Sequence, residues 1–487
     1  MLPLEMVADS ITLLSKWDDK DMFEKLLKEK KKTGLNIIIV GCGKVGTTLL
    51  QRLREEGHDV TIIDQNPEVI NELSGTYDAL AIAGNGATHA VLDEANVADA
   101  DLLVAVTDSD ELNLLTCVLA NQASDCATIA RVRQPEYVSE VNYLRDKLGL
   151  AKIINPELEA AKEASRILLL PTALEVNTFA HDQVELVKIN VPEDNVIAGL
   201  TLAQISSRVG LDILICVVER NDELVIPNGT FEIQGGDVIS VLGQRRIVKK
   251  FLAEIGFKTE AVKNCMIVGG GRAAFYLAKH LTQMNIDVKI IESNRSRCKY
   301  LAETLDSATI INGDGTSEEL LREEGIEYAD AFIPLTGIDE ENIFLTLFAK
   351  SISKAKVITK INRMNYKGVI NGLDLGSVIY PKAITTEAII AYVRARQNSV
   401  DRNNIETLYH MYDNRVEAIE FIADQKSAVT GKTLAELKTK KNLLIACISR
   451  NGSIIIPRGS DSIHVGDSVT IVTTYTGFND ITDILAK

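Results

Sequence analysis

The segment NIIIVGCGKVGTTLL beginning at Asn36 returns as NCMIVGGGRAAFYLA beginning at Asn264, and this internal echo limits the fold more than any other feature of the chain. In each copy an apolar run enters a glycine turn, and an amphipathic stretch follows. An acid then closes a second apolar run 23 residues after the first glycine: Asp64 in VTIID and Glu292 in VKIIE. That is the layout of a βαβ dinucleotide-binding unit, present twice. The echo persists beyond the glycines, pairing Gly84 with Gly313, Gly86 with Gly315, Thr107 with Thr336 and Asn113 with Asn342. A smaller module follows each unit, where VELVKINV from Val184 matches VEAIEFIA from Val416 and Gly236-Asp237 matches Gly466-Asp467. The order is large, small, large, small.

From Leu35 the runs NIIIVG, DVTIID, DALAIAG, DLLVAVT and TIARV alternate with stretches of helical period, and five matching runs follow from Asn264. Runs that are apolar throughout suit strands buried on both faces, as in parallel sheets. The expected fold class is therefore α/β: two Rossmann-like doubly wound parallel-sheet domains, each followed by a small α+β domain. The expected division is 35–165 and 262–395 for the Rossmann-like domains, and 166–257 and 396–487 for the small ones. Residues 1–34 are expected to form an N-terminal amphipathic helical extension, since Ile11, Leu14, Trp17, Phe23, Leu26 and Leu27 recur at helical intervals. It is expected to be a helix packed on its own domain or an expression-derived extension, or else an added oligomer or partner contact. Asn228-Gly229 and Asn451-Gly452 signal turns in the small modules, the second as a two-residue hairpin loop between LLIACIS and SIIIP. Modules of about 70 residues are marginal alone, so each is expected to pair with a copy from another subunit or repeat.

Composition removes several functions. The formal charge of −16 is spread along the chain, whereas a nucleic-acid binder needs a basic face. Seven cysteines stand far apart with no CxxC spacing, which fits a reducing cytoplasm. No apolar run approaches the roughly 20 residues of a membrane span, and the start MLPLEMVADSITLL has neither a basic leader region nor a cleavage signal. The six histidines form no HxxxH or HExxH pattern, so no metal site and no catalytic group is expected. Cys42, in the glycine turn, reads as a small residue filling a tight slot rather than as a reactive thiol.

In GCGKVG, Gly41 permits the tight turn, Gly43 lets a pyrophosphate approach the backbone and Gly46 lets the helix pack close to the strand. The helix that follows offers its amides and positive dipole end to phosphate. Asp64 is placed to accept hydrogen bonds from both hydroxyls of an adenine ribose and to repel a 2′-phosphate. NAD(H) is favoured over NADP(H), while ATP, ADP and AMP carry the same diol and stay open. Thr107 and Asp108 end the fourth run and Arg131 the fifth, at the crevice. Asp108 is a ligand contact or a helix cap before SDELNLL; Arg131 meets a phosphate, or a carboxylate across a subunit boundary. The second copy has Ala274 for the third glycine, Gly337 for Asp108 and Lys360 for Arg131, and keeps the acid as Glu292. It is a second nucleotide site or a retained fold. An NAD-dependent oxidoreductase is the rival reading, but the modules after Gln183 and Arg415 offer no group of His, Lys and carboxylate to move a proton beside a nicotinamide.

The strings IIIVGCGKVG, VTIID, AGNGA, LLVAVTDSDELN and IARV, in this order of modules from about Leu35 to the C-terminus, resemble the TrkA family, the regulatory subunits of Trk potassium-uptake systems. The resemblance implies two tandem regulator-of-potassium-conductance units in a subunit that is not an enzyme. It implies a cytoplasmic protein, peripheral on the inner face of the cell membrane. There it would assemble as a homo-oligomer, dimer or tetramer, into a ring beneath a membrane-embedded potassium channel subunit, TrkH or a relative, with nucleotide as the signal. It places nucleotide contacts on Gly41, Cys42, Gly43, Lys44, Val45, Gly46, Asp64, Thr107, Asp108 and Arg131. The counterparts are Gly269, Gly270, Gly271, Arg272, Ala273, Glu292, Thr336 and Lys360. Residues 1–34 depart from the family, which usually starts at the first strand.

Overall fold

Leu102–Ala105 is buried at every position and Asn36–Val40 at all but its first, so both strands sit inside a sheet covered on two faces. The computed structural model describes residues 34–486 apart from 181–182, 258, 260–261, 364–368, 371, 402–404, 413–414, 424–426 and 479. The helices expected before Gly34 lie outside the described residues.

The first sheet holds β1 (Asn36–Val40), β2 (Asp59–Asp64), β3 (Leu80–Ala83), β4 (Leu102–Ala105), β5 (Ala127–Arg131) and β6 (Lys152–Ile154). All run parallel, in the order β3-β2-β1-β4-β5-β6. An antiparallel sheet follows with β7 (Glu175–Phe179), β8 (Val184–Asn190), β9 (Ile213–Arg220), β10 (Glu223–Val225) and β11 (Val238–Gln244), ordered β10-β9-β11-β8-β7. The second half repeats both. Its parallel sheet has β12 (Asn264–Val268), β13 (Asp287–Glu292), β14 (Ala308–Asn312), β15 (Ala331–Pro334), β16 (Lys356–Lys360) and β17 (Ser377–Ile379), ordered β14-β13-β12-β15-β16-β17. Its antiparallel sheet has β18 (Ile405–Met411), β19 (Val416–Ile422), β20 (Leu443–Arg450), β21 (Ser453–Ile455) and β22 (Ser468–Thr473), ordered β18-β19-β22-β20-β21. The strand order of each parallel sheet reverses beside β1 and β12, which opens a crevice at the carboxyl ends.

Two strands go beyond the sequence expectation, β6 and β17, three residues each and too short to carry a periodic signal. Asn451 and Gly452, at φ 51° and 78°, turn β20 into β21 as expected. The corresponding hairpin between β9 and β10 turns at Asn221 and Asp222, at φ 52° and 67°, positions the sequence did not single out. Asn and Asp tolerate the left-handed region without glycine. Asn228 makes the turn expected there, its Oδ1 accepting from Thr230 N at 3.0 Å.

The halves are interlocked by two crossover helices. Pro156–Leu169 leaves the first sheet and shares a core with helix Arg272–Gln283 of the second, where Ala160, Ala161 and Ala164 meet a helix carrying Ala274, Leu277 and Ala278. Reciprocally, Pro381–Asp401 sets Ile389, Ile390 and Val393 into the core of Leu49, Leu50 and Leu53 on helix Lys44–Glu55. The small sheets pair as expected, repeat on repeat: Phe179, Leu186, Val217 and Leu242 share one apolar cluster with Met411, Val416, Ala418 and Val472. Polar ties flank this seam, Tyr412 to Ser240 at 2.7 Å and Arg415 to Glu219 at 2.7 Å.

Candidate functional site: paired clefts

Two glycines of the first turn answer a steric need, and the third leaves open space. Gly41 sits at φ +99°, and a methyl group there would stand 2.8 Å from Thr107 N at the end of β4. A methyl on Gly46 would come within 2.0 Å of Gly41 O, so only hydrogen lets this helix approach its strand. At Gly43 a methyl would meet nothing within 4 Å, and that open space faces the start of helix Lys44–Glu55. No side chain caps that helix and no acid stands in its first turn, which leaves its dipole end to an outside anion. Lys44 is exposed beside it, Val45 is buried, and Cys42 is buried with its thiol pushed up to about 12 by burial and then by Asp64. The thiol is a filler, as the sequence indicated.

Asp64 ends β2 with each oxygen anchored: Oδ2 accepts from Cys42 N at 2.6 Å and Oδ1 from Asn66 N at 2.9 Å. Glu292 repeats this in the second cleft, with Oε2 accepting from Gly270 N at 2.6 Å and Oε1 from Asn294 N at 2.7 Å. The acid is thus locked against the glycine turn in both copies, with lone pairs left for a diol.

The strand ends are arranged differently from the simplest expectation. The Thr107 hydroxyl donates to Asn113 Oδ1 at 2.7 Å, so it is occupied by its own domain. Ser109, not Asp108, caps helix Asp110–Ala123 by accepting from Leu112 N at 3.1 Å. Asp108 instead takes Arg131 Nη2 at 3.0 Å within the same chain, and that nitrogen also donates to Thr107 O at 2.7 Å. Burial, then the charge of Arg133, lowers the Arg131 pKa, and its Nε is buried without a hydrogen-bond partner. In the second cleft Thr336 bonds to Ile338 O at 3.1 Å, Gly337 is exposed, and Lys360 donates to Leu335 O at 3.1 Å while burial lowers its pKa.

Sequence reading paired Asn113 with Asn342 but gave them no task. Asn113 is fully buried, accepts from Thr107 N at 2.8 Å and donates to Arg131 O at 2.9 Å, so it fastens the ends of β4 and β5. Asn342 does the same between Thr336 N and Lys360 O, at 2.9 and 3.0 Å. Buried Asp110 accepts from Arg133 N and Gln134 N at 2.8 and 2.7 Å, fixing the next loop. The clefts also touch each other's domains. Tyr276, on the helix that opens the second cleft, donates to Arg133 O at 2.9 Å beside the first. Lys382, opening the second crossover helix, has its pKa lowered by burial, then by Lys44, with Arg131 contributing. In the second cleft Arg297 adds a cation the first lacks, donating from Nε to Gly270 O at 2.6 Å. Among the described residues no group of three or more potential metal ligands occurs, and no helix is long and apolar enough to cross a membrane.

Comparison with known proteins finds the same alternation of large and small modules. The TrkA-N domain family matches residues 37–156 and 265–381, and the TrkA-C domain family matches 186–256 and 418–486. The Trk system potassium uptake protein TrkA homolog 1 of Methanosarcina mazei is 31% identical, covering 92% of this chain and 99% of its own. The TrkA protein of Haemophilus influenzae is 32% identical over 90% of this chain and 95% of its own. Among solved structures, the GsuK channel bound to NAD superposes with a TM-score of 0.60 at 18% identity, over 91% of this chain and 77% of that one. The GsuK RCK domain gives 0.60 at 18% identity, over 91% and 93%. With both domain types matched twice, over most of its length, the chain belongs to the TrkA family of potassium uptake proteins.

Proposed function

We propose that this chain is the nucleotide-reading regulatory subunit of a potassium uptake system, lying at the cytoplasmic face of the membrane and biasing a membrane-embedded channel subunit. One observation carries the reading: a duplicated cleft in which an acid, Asp64 or Glu292, is locked to a glycine turn at the uncapped end of a helix. The ligand of the first cleft is NAD(H), and the free ribose diol of ATP, ADP or AMP suits the same acid. The contacts are those expected from sequence, with Thr107 and Thr336 shaping the strand ends through their own internal bonds and Lys382 joining the phosphate side. The division at 165/166, 257/262 and 395/396 belongs to the same proposal. Relatives named as Trk potassium uptake proteins and a channel of the same fold bound to NAD support it.

A nucleotide moves such a protein only by binding one shape better than another, typically by about 1–3 kcal/mol per effector. Several sites in a ring could together supply the roughly 5.5 kcal/mol that swings a two-state equilibrium almost fully. Leu115 and Phe344, at equivalent places on helices Asp110–Ala123 and Asp339–Ile352, are 50% and 72% exposed and offer apolar contacts for assembly between copies. Native mass spectrometry of the full chain with NADH tests both halves of the proposal. The expected result is a dimer or tetramer that retains nucleotide. A bare monomer, with no heat on calorimetric titration with NADH, NAD, ATP or ADP, overturns it; so does hydride turnover on a substrate panel.

A further inference from the structure

A buried ionic network joins the helix of the first cleft to the second small domain. Glu56 ends helix Lys44–Glu55, whose other end forms the phosphate cradle. Its carboxylate accepts a two-pronged bond from Arg394 on the second crossover helix, Nε at 3.0 Å and Nη2 at 2.6 Å. The third nitrogen of Arg394 donates to Glu417 on β19 at 3.0 Å. Glu417 is fully buried, accepts from Gly477 N at 3.2 Å and stands 3.2 Å from His410 Nε2 on β18. Arg52, one turn before Glu56, has Nη2 3.3 Å from the same His410 nitrogen, which either accepts from this arginine or donates to Glu417. Separating any buried member strands a charge, so the helix cannot shift without the small sheet responding.

The other repeat shows that the fold does not need these ions. Met284 occupies the position of Glu56, and Leu169 that of Arg394, counted from the prolines that open the crossover helices, Pro156 and Pro381. Glu185, the counterpart of Glu417, is taken by Arg245 of its own domain at 2.5 Å. The same architecture is thus built once with Met284 and Leu169 at these two places and once with an ion pair that bridges two domains.

We infer that the Glu56–Arg394–Glu417 network is a positioning link that carries the state of the first cleft to the second small domain. The inference rests on that cleft reading a nucleotide. Hydrogen exchange of the full chain, with and without saturating NADH, tests it, with NADH binding measured calorimetrically on the same samples. In the parent, NADH should change the protection of amides in Ile405–Met411, Val416–Ile422 and Gly477 by about fivefold or more. Glu56→Gln, and the triple variant Glu56→Met, Arg394→Leu and Glu417→Gln that removes the ionic link without leaving a charged partner behind, should bind NADH within about twofold of the parent and lose that difference. A merely structural role would alter exchange equally with and without NADH. If both variants bind NADH and keep the full NADH-dependent change, the link is overturned and the nucleotide reading stands. If the parent binds no nucleotide, both fall.

Discussion

Asp64 holds the glycine turn with both oxygens, so the strength of any ribose contact is prearranged before a ligand arrives. Asp64→Ala removes two charge-assisted bonds to a diol, each about 1.5–3 kcal/mol, and frees the amides that shaped the turn. NADH affinity should fall by about a hundredfold or more; an unchanged dissociation constant by calorimetry would show that this acid does not hold the ribose. Asn113 works on the protein itself. Asn113→Leu leaves Thr107 N and Arg131 O buried without partners at about 1–3 kcal/mol each, so the first unfolding transition in denaturant should move down by a clearly measurable amount. A midpoint equal to the parent's would count against the fastening role. The two residues also differ in how they reveal themselves. Asp64 is legible because its spacing from the glycines is dictated along the chain, whereas Asn113 acquires its task only when β4 and β5 come side by side. Only its echo in Asn342 marked it out.

At the level of elements, helical period marks a helix but not the body it covers, since an apolar stripe does not name its partner. The small residues of the first crossover helix, Ala160, Ala161 and Ala164, read as helix formers until they are seen against the alanines of the opposite helix. The sixth strands were hidden by brevity, and the first hairpin by a turn without glycine. One crossover helix also carries a titrating group. Burial, then the neighbouring charge of Glu175, raises the Glu163 carboxyl from its ordinary 4.5 to about 8, against a lowering by Arg166. Folded chains then hold a proton that unfolded chains release, so stability is fully present below the unfolded value and declines as pH rises toward 8. Glu163→Gln removes that slope. Its thermal midpoint should gain on the parent's progressively between about pH 5 and pH 8, and parallel midpoints across that window would show that Glu163 ionises normally.

For the whole molecule, the decisive fact is that neither half is closed by its own residues. Helix Lys44–Glu55 is covered by Ile389, Ile390 and Val393 from the far end of the chain, and helix Arg272–Gln283 by a helix from the near end. The seam between the small sheets is likewise shared. A half ending at residue 257 therefore keeps its crossover helix with nothing to cover and exposes a helix that nothing covers. Burying a large aliphatic side chain contributes about 1.5–3 kcal/mol, so the three missing residues of Pro381–Asp401 alone forfeit a large part of the about 5–15 kcal/mol by which a domain is stable. Expressed alone, residues 34–257 should aggregate or pair with a second copy of themselves, the repeat standing in for its own partner. Co-expressed with residues 262–487 as a separate chain, they should recover a one-to-one complex, because the missing peptide link lowers only effective concentration and leaves every buried surface intact. Native mass spectrometry separates these outcomes: a soluble, monomeric 34–257 fragment would show that the interlock is incidental and that each repeat is a domain in its own right.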